Sequence, residues 1–399
     1  MRIARRMSDI GTETAFEVSA RARALEAQGR DIIHLQIGEP DFDTPANIRE
    51  AAKRALDAGA THYAPYPGIP ELRQAIADDA TARKGFEVTP DRVFVTVGGK
   101  GVMLYAILGL VDPGDEVLVP DPGYPIYESL TRFVGGTPVP VPIRMELDFR
   151  IDLDELASLV TPRTRMLVIN SPANPTGGVL TRSDLEAIAE LAVRHDLVVL
   201  ADEIYGRILY DGAEHVSIAS LPGMAERTIV LDGFSKTFAM TGWRLGYAIV
   251  PPSLVQMYGQ LVINTISCAP TFAQVGAVEA IRGPQEPMAA MVEEFRARRD
   301  LVVEGLNAIP GVRCRSPKGA FYVFPDISGT GLTGRELADR LLQEFGVCVL
   351  AGTAFGGIGT GHVRISYANS RENLARALDR IRGFVEGLPA GTVAAASAR

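Results

Sequence analysis

Short apolar runs rich in Val, Ile and Leu recur along the middle of the chain. Residues 93–97, 116–119, 137–141, 166–169, 198–201 and 228–231 read as buried strands, and 245–250 adds another. Stretches with helical periodicity lie between most of them, at 104–111, 124–134, 153–160 and 183–195. This alternation predicts an α/β fold, a mostly parallel sheet with helices on both faces. Ligands of such sheets bind in the crevice at the carboxyl ends of the strands. The residues that follow each strand are therefore where chemistry is expected.

The flanks follow a different pattern. Residues 7–28 read as a helical arm that ends at Gly29, and 45–58 as a helix. Between 62 and 73, three prolines and a glycine predict an extended loop from which Tyr63 and Tyr66 project. Beyond Pro251 a long helical region covers 272–306. Short strands at 320–324, 347–350 and 362–366 then mix with helices. The shift predicts a large domain over 45–289 and a smaller α+β domain made from 1–44 and 290–399. The Ala- and Ser-rich tail, 391–399, is expected to be disordered.

Composition narrows the function. A length of 399 residues accommodates two domains. The net charge of −8 argues against a general nucleic-acid-binding surface. No apolar window is long enough to span a bilayer. Three widely spaced cysteines, Cys268, Cys314 and Cys348, give neither a disulfide framework nor zinc spacing, which points to a reducing compartment. The N-terminal stretch has no apolar signal core, and Asp9, Glu13 and Glu17 suit a transit peptide poorly. A cytoplasmic location is expected. The histidines at 34, 62, 195, 215 and 362 show no metal or triad spacing.

The strand ends carry a coherent set of groups. Run 228–231 leads into Asp232-Gly-Phe-Ser-Lys-Thr-Phe-Ala-Met-Thr-Gly-Trp-Arg-Leu-Gly246. Here Lys236 follows Ser235, and Arg244 lies beside the only tryptophan. A lysine at a strand end, with a hydroxyl and a guanidinium nearby, suits an aldehyde cofactor that carries a phosphate. The amine would form a Schiff base and the other two would hold the phosphate. Gly98-Gly-Lys-Gly101 opens a helix whose backbone amides can cradle a phosphate. Asp202 is either a helix N-cap or a carboxylate facing a protonated ring nitrogen. Tyr205 and Asn174 are a core residue and a turn residue, or donors to the oxygen of that ring. Tyr124 either packs or stacks on the ring. Arg364, in His362-Val-Arg-Ile-Ser366, alternates with apolar residues and needs a carboxylate partner from the protein or a ligand.

With these residues assembled, the chain resembles the class I/II pyridoxal-phosphate aminotransferases of fold type I. The resemblance runs from Gly38-Glu-Pro-Asp to Val363-Arg-Ile-Ser. It rests on Asn-Pro-Thr-Gly at 174–177, Asp-x-x-Tyr at 202–205 and Ser-Lys-x-Phe-x-Met-x-Gly-Trp-Arg-x-Gly at 235–246. The wording of Tyr-Ala-Pro-x-x-Gly-Ile-Pro-Glu-Leu-Arg at 63–73 is similar to the bacterial aspartate-aminotransferase subgroup. The resemblance implies pyridoxal 5′-phosphate as cofactor and Lys236 as its Schiff-base lysine and proton shuttle. Asp202 would then pair with the pyridine nitrogen, Asn174 and Tyr205 with the ring oxygen, and Tyr124 would stack on the ring. Ser235, Arg244 and the amides of Gly99 and Lys100 would hold the phosphate. Tyr63 would reach the phosphate of a neighbouring subunit, implying a homodimer with shared sites. Arg364 would grip the substrate α-carboxylate, with Gly38 lining the same pocket. One position departs from the family, Gly101, where relatives carry a larger residue.

The implied reaction moves an amino group from an amino acid to a 2-oxo acid in a ping-pong cycle, aspartate with 2-oxoglutarate being the leading pair. Aromatic amino acids, methionine, alanine and glutamine remain open as donors. β-Elimination of the carbon–sulfur lyase kind needs the same lysine and aspartate. A non-catalytic sensor on the same scaffold would usually add a DNA-binding segment, for which this chain has neither spare length nor a basic patch.

Overall fold

The apolar runs of the middle of the chain assemble into one seven-stranded sheet. The computed structural model describes residues 1–11 and 13–389, and the tail over 391–399 lies outside them. In chain order, α1 (Thr14–Glu26) leads to β1 (Ile33–His34), α2 (Ala46–Asp57) and α3 (Pro70–Lys84). Then come β2 (Val93–Val97), α4 (Gly99–Leu110), β3 (Glu116–Asp121), α5 (Ile126–Phe133), β4 (Thr137–Pro142), α6 (Leu153–Leu159) and β5 (Thr164–Asn170). After α7 (Arg182–Arg194) follow β6 (Val198–Asp202), β7 (Thr228–Gly233) and β8 (Leu245–Ile249). The sheet order is β2-β8-β7-β6-β5-β3-β4. Every neighbouring pair from β7 to β4 is parallel, and β8 runs antiparallel to both β2 and β7.

Alternate residues of these strands serve opposite layers, as the two-residue period of a strand requires. Val117, Val119, Met166, Val168, Leu200 and Leu231 pack with residues of α4. Leu118, Leu167, Ile169, Val199 and Ala201 pack on the other face with residues of α7. Because both faces are covered, the strands are apolar throughout, which is why they read as continuous runs.

The chain goes on through α8 (Val255–Thr265), α9 (Thr271–Arg282) and α10 (Glu286–Asn307). The single helical region expected over 272–306 is thus two helices. Pro284 has no N–H to donate and disfavours the helical conformation of Gly283, so α9 ends there. A second group of strands follows: β9 (Tyr322–Val323), then, after α11 (Gly334–Arg340), β10 (Val347–Cys348), β11 (Leu350–Ala351) and β12 (Val363–Ser366). Helix α12 (Arg371–Glu386) comes last. Strands β11, β12 and β9 form an antiparallel sheet in that order, and β10 pairs in parallel with β1. The arm read as one helix over 7–28 is a 3-10 turn at Arg5–Ser8 and then α1, which packs through Val18, Ala22 and Leu25 against Ile32, Leu342 and Cys348.

One charged cluster ties this scaffold together beneath β6 and β7. Lys84, the last residue of α3, has a fully buried side chain. Its Nζ donates to Glu203 Oε2 at 2.6 Å and to Asp232 Oδ2 at 2.9 Å. Ser217 Oγ donates to the other Glu203 oxygen, and Arg83 stands 3.4 Å from Asp232. Burial alone would raise both carboxyls, but Lys84 overrides it and holds Glu203 well below the usual carboxylate range. Lys84 and Arg83 together also lower Asp232. Removing the ammonium would leave two buried carboxylates with only Arg83 and His215 at their edges, so Lys84→Met should lower unfolding stability by about 3 kcal/mol or more. Urea unfolding measures this, and a loss under ~1 kcal/mol would show that the cluster is not doing this work.

Candidate active site

Strand ends and loops converge on a cavity of about 480 Å³. It is lined by Gly38, Gly99, Lys100, Tyr124, Asn174, Asp202, Tyr205, Ser235, Lys236, Arg244 and Arg364. Eleven of the twelve residues singled out from the sequence therefore surround one space. Tyr63 does not join them, and stands 91% exposed on the surface of this chain.

Lys236 and Asp202 are both buried charges, placed there by neighbouring strands. Asp202 ends β6 in register with Leu231 of β7, and Lys236 lies three residues beyond the end of β7. Burial pushes the Lys236 amine down to about 8; Glu39 opposes the shift, and Arg364 and Arg244 add to it. An amine in that range is partly unprotonated near neutral pH, which is what a nucleophilic lysine requires. Its Nζ donates to the Gly38 carbonyl at 2.5 Å. Burial pushes Asp202 up to about 6, with nearby Asp232 and Glu203 adding to the rise. Two donors oppose it: Tyr127 OH at 2.6 Å and the Ile204 amide at 3.2 Å. A cationic ring nitrogen facing Asp202 would favour its ionised form further.

Arg364 has no carboxylate partner among the described residues. It is 4% exposed, sandwiched by Tyr322 and Phe355 with ring centroids 4.7 and 4.8 Å from its guanidinium carbon. It donates to Asn174 Oδ1 at 3.1 Å and to the Gln36 carbonyl, and its Nε has no partner. A buried guanidinium without an acid is an anion site in waiting. The contact also orients Asn174: with Oδ1 occupied, Nδ2 is the donor its side chain has left. Tyr205 OH lies 2.8 Å from Tyr322 OH. Two phenols that share one hydrogen bond keep one proton to donate elsewhere.

At the other end of the cavity, Arg244 folds over the turn that opens α4. It adopts a left-handed φ of 54° and donates to Thr241 O at 3.0 Å. A Cβ on Gly98 would lie 2.4 Å from its Nη2, so only glycine leaves the guanidinium that place. The amides of Gly99 and Lys100 begin the helix there, and Ser235 lines the same space. Helix N-terminus, hydroxyl and guanidinium form a cradle suited to a phosphate. Gly101 is explained locally, since a Cβ there would approach Thr96 Cβ to 3.1 Å. Gly38 is equally constrained, because its Cβ would fall 1.9 Å from Tyr322 OH. The donor set matches pyridoxal phosphate in each part: an amine for the aldehyde, a carboxylate for the ring nitrogen, donors for the ring oxygen and a cradle for the phosphate.

Sequence reasoning missed Tyr127, Tyr322 and Glu13. Tyr127 was within reach, since it stands one helical turn after Tyr124 at the start of α5. Tyr322 reads as an ordinary core aromatic, and Glu13 as a surface charge of the arm. Tyr127 favours the ionised form of Asp202, so Tyr127→Phe should raise the Asp202 pKa above its present value of about 6, by about one unit. Carboxyl ¹³C chemical shifts followed against pH in the cofactor-free protein would measure it. An unmoved titration would show that Tyr127 contributes only packing.

Comparison with known proteins agrees with this geometry. The family model described as aminotransferase class I and II matches residues 30–381. An aspartate aminotransferase of Pyrococcus abyssi is 47% identical over 90% of this chain and 92% of its own. An aromatic-amino-acid aminotransferase of Thermococcus litoralis is also 47% identical, over 89% and 92%. The crystal structure of aspartate aminotransferase from Rhizobium meliloti superposes with a TM-score of 0.93 at 37% identity, covering 97% of this chain and 99% of that one. The chain belongs to the class I and II aminotransferases, enzymes of fold type I that use pyridoxal phosphate to exchange amino groups between amino acids and 2-oxo acids.

Proposed function

We propose that the enzyme transfers the amino group of an L-amino acid to a 2-oxo acid in a ping-pong cycle, with aspartate and 2-oxoglutarate as the leading pair. What supports the reading is one juxtaposition: a buried amine near 8 and a buried guanidinium without an acid partner among the described residues line the same cavity. Bound pyridoxal phosphate supplies an aldehyde that accepts the amino group and a ring that withdraws electrons from the substrate Cα. Arg364 binds the α-carboxylate, and so fixes which bond of Cα faces Lys236. Lys236 Nζ, once free, takes the proton from Cα. Asp202 holds a proton on the pyridine nitrogen, and Asn174 Nδ2 and Tyr205 OH donate to the ring oxygen. Tyr124 stacks on the ring. Ser235, Arg244 and the Gly99 and Lys100 amides hold the phosphate.

The same reading makes the enzyme a homodimer. Tyr63, exposed on its own subunit, would reach the phosphate site of a second copy. The large domain spans 45–289 and the smaller one joins 1–44 to 290–399. Helix α10 spans the change from one to the other. A cytoplasmic location fits the three free cysteines, of which Cys314 and Cys348 are buried. Among the described residues no helix is long and apolar enough to cross a membrane.

Lys236→Ala tests the central role. The variant should keep the phosphate cradle, and with it affinity for pyridoxal phosphate, while steady-state transamination falls by about three orders of magnitude or more. Coupled assay of oxaloacetate formed from aspartate measures this, and turnover near the parent rate would overturn the assignment.

A further inference from the structure

Once the charges of the cavity are matched to the proposed roles, one largely shielded carboxylate is left over. Arg244 serves the phosphate, Arg364 the α-carboxylate, Asp202 the ring nitrogen and Lys236 the amino group. This chain still lines the cavity with Glu13, Glu39 and Lys100, two negative side chains against one positive. Glu39 belongs to an exposed residue and accepts from Thr241 Oγ1, so water screens its charge. Glu13 is different, its side chain being only 15% exposed.

Glu13 reaches the cavity from an unexpected place. It is the N-cap residue of α1, where a carboxylate would ordinarily accept from the first turn of its own helix, yet its side chain makes no capping bond. It extends instead across the chain, where Oε1 accepts from Tyr124 OH at 3.0 Å and from Lys100 Nζ. Lys100 only partly offsets it, because the lysine side chain is 46% exposed while the carboxylate is mostly shielded. Tyr124 is the residue proposed to stack on the ring, which puts Glu13 beside the reacting centre and not at a remote rim.

We infer that Glu13 sets the charge preference for the substrate side chain, favouring donors with neutral or cationic side chains and placing acidic donors at a disadvantage. An acidic side chain entering this cavity meets a like charge that is poorly screened and already holds the nearest free ammonium. A cationic side chain meets a ready partner. The inference rests on the aminotransferase reading of Lys236 and refines its substrate class: aspartate is accepted against the resistance of Glu13, whereas neutral and basic amino acids enter without it.

The test is the first half-reaction of the holoenzyme, read as bleaching of the visible cofactor band by aspartate, alanine or arginine, with alanine as the internal reference. In Glu13→Gln the efficiency ratio of aspartate to alanine should rise about tenfold, and that of arginine to alanine should fall by a similar factor. Glu13→Lys, which inverts the charge, should widen the split. A merely structural role would move both ratios together. Ratios that stay unchanged or shift in the same direction would overturn the inference with the aminotransferase reading intact. A parent enzyme whose band no amino acid bleaches would overturn both.

Discussion

The structure depends on keeping two opposite charges, Asp202 and Lys236, out of water at the ends of neighbouring strands. Each is displaced toward its neutral form, the carboxyl to about 6 and the amine to about 8, and burial is the leading cause of both shifts. The displacement of Lys236 brings its amine into the range where a base works near neutral pH, whereas Asp202 has to be held ionised against its burial. Water around Lys236 would return its amine to the ordinary, protonated range. The seven-stranded sheet, covered by helices on both faces, supplies the dry surroundings.

The scaffold must then carry charges it cannot solvate. Beneath the site, Lys84 sits between Glu203 and Asp232, one residue beyond Asp202 and four before Lys236. The ammonium, with Arg83 beside Asp232, offsets two carboxylates that would otherwise push Asp202 still further toward protonation. Above it, Tyr127 and the Ile204 amide hold Asp202 by its two oxygens. Close approach of backbone at Gly98 and Gly38 makes room for Arg244 and Tyr322, so glycines that look like loop punctuation are steric requirements of the site. Arg364 is the counterpart of this economy, a buried cation without an acid partner among the described residues and held flat between two rings.

Much of this was readable in the sequence, for a physical reason. Strands of a sheet covered on both faces are continuous apolar runs, so β2 to β8 could be placed from the chain alone. The parallel arrangement then sends functional groups to the carboxyl ends, where Asn174, Asp202, Ser235 and Lys236 were found. The limits of that reading follow the same logic. Reading 272–306 as one helical region misses the break between α9 and α10 at Gly283-Pro284, which the proline sets and the apolar spacing does not show. Contacts of Glu13 with Lys100 and Tyr124, of Tyr127 with Asp202 and of Tyr205 with Tyr322 join residues far apart in sequence, and no local pattern announces them. Which residues line the cavity was visible, but not which residues restrain them.

The claim on which everything else rests is that Lys236, and no other lysine, forms the covalent link to the cofactor. The most direct test is to load the protein with pyridoxal phosphate, reduce the linkage with borohydride, digest, and locate the added mass by peptide mapping. The account predicts one stoichiometric label on the peptide that contains Ser235 and Lys236. A label on Lys100 or Lys84 in its place, or no label at all, would contradict it.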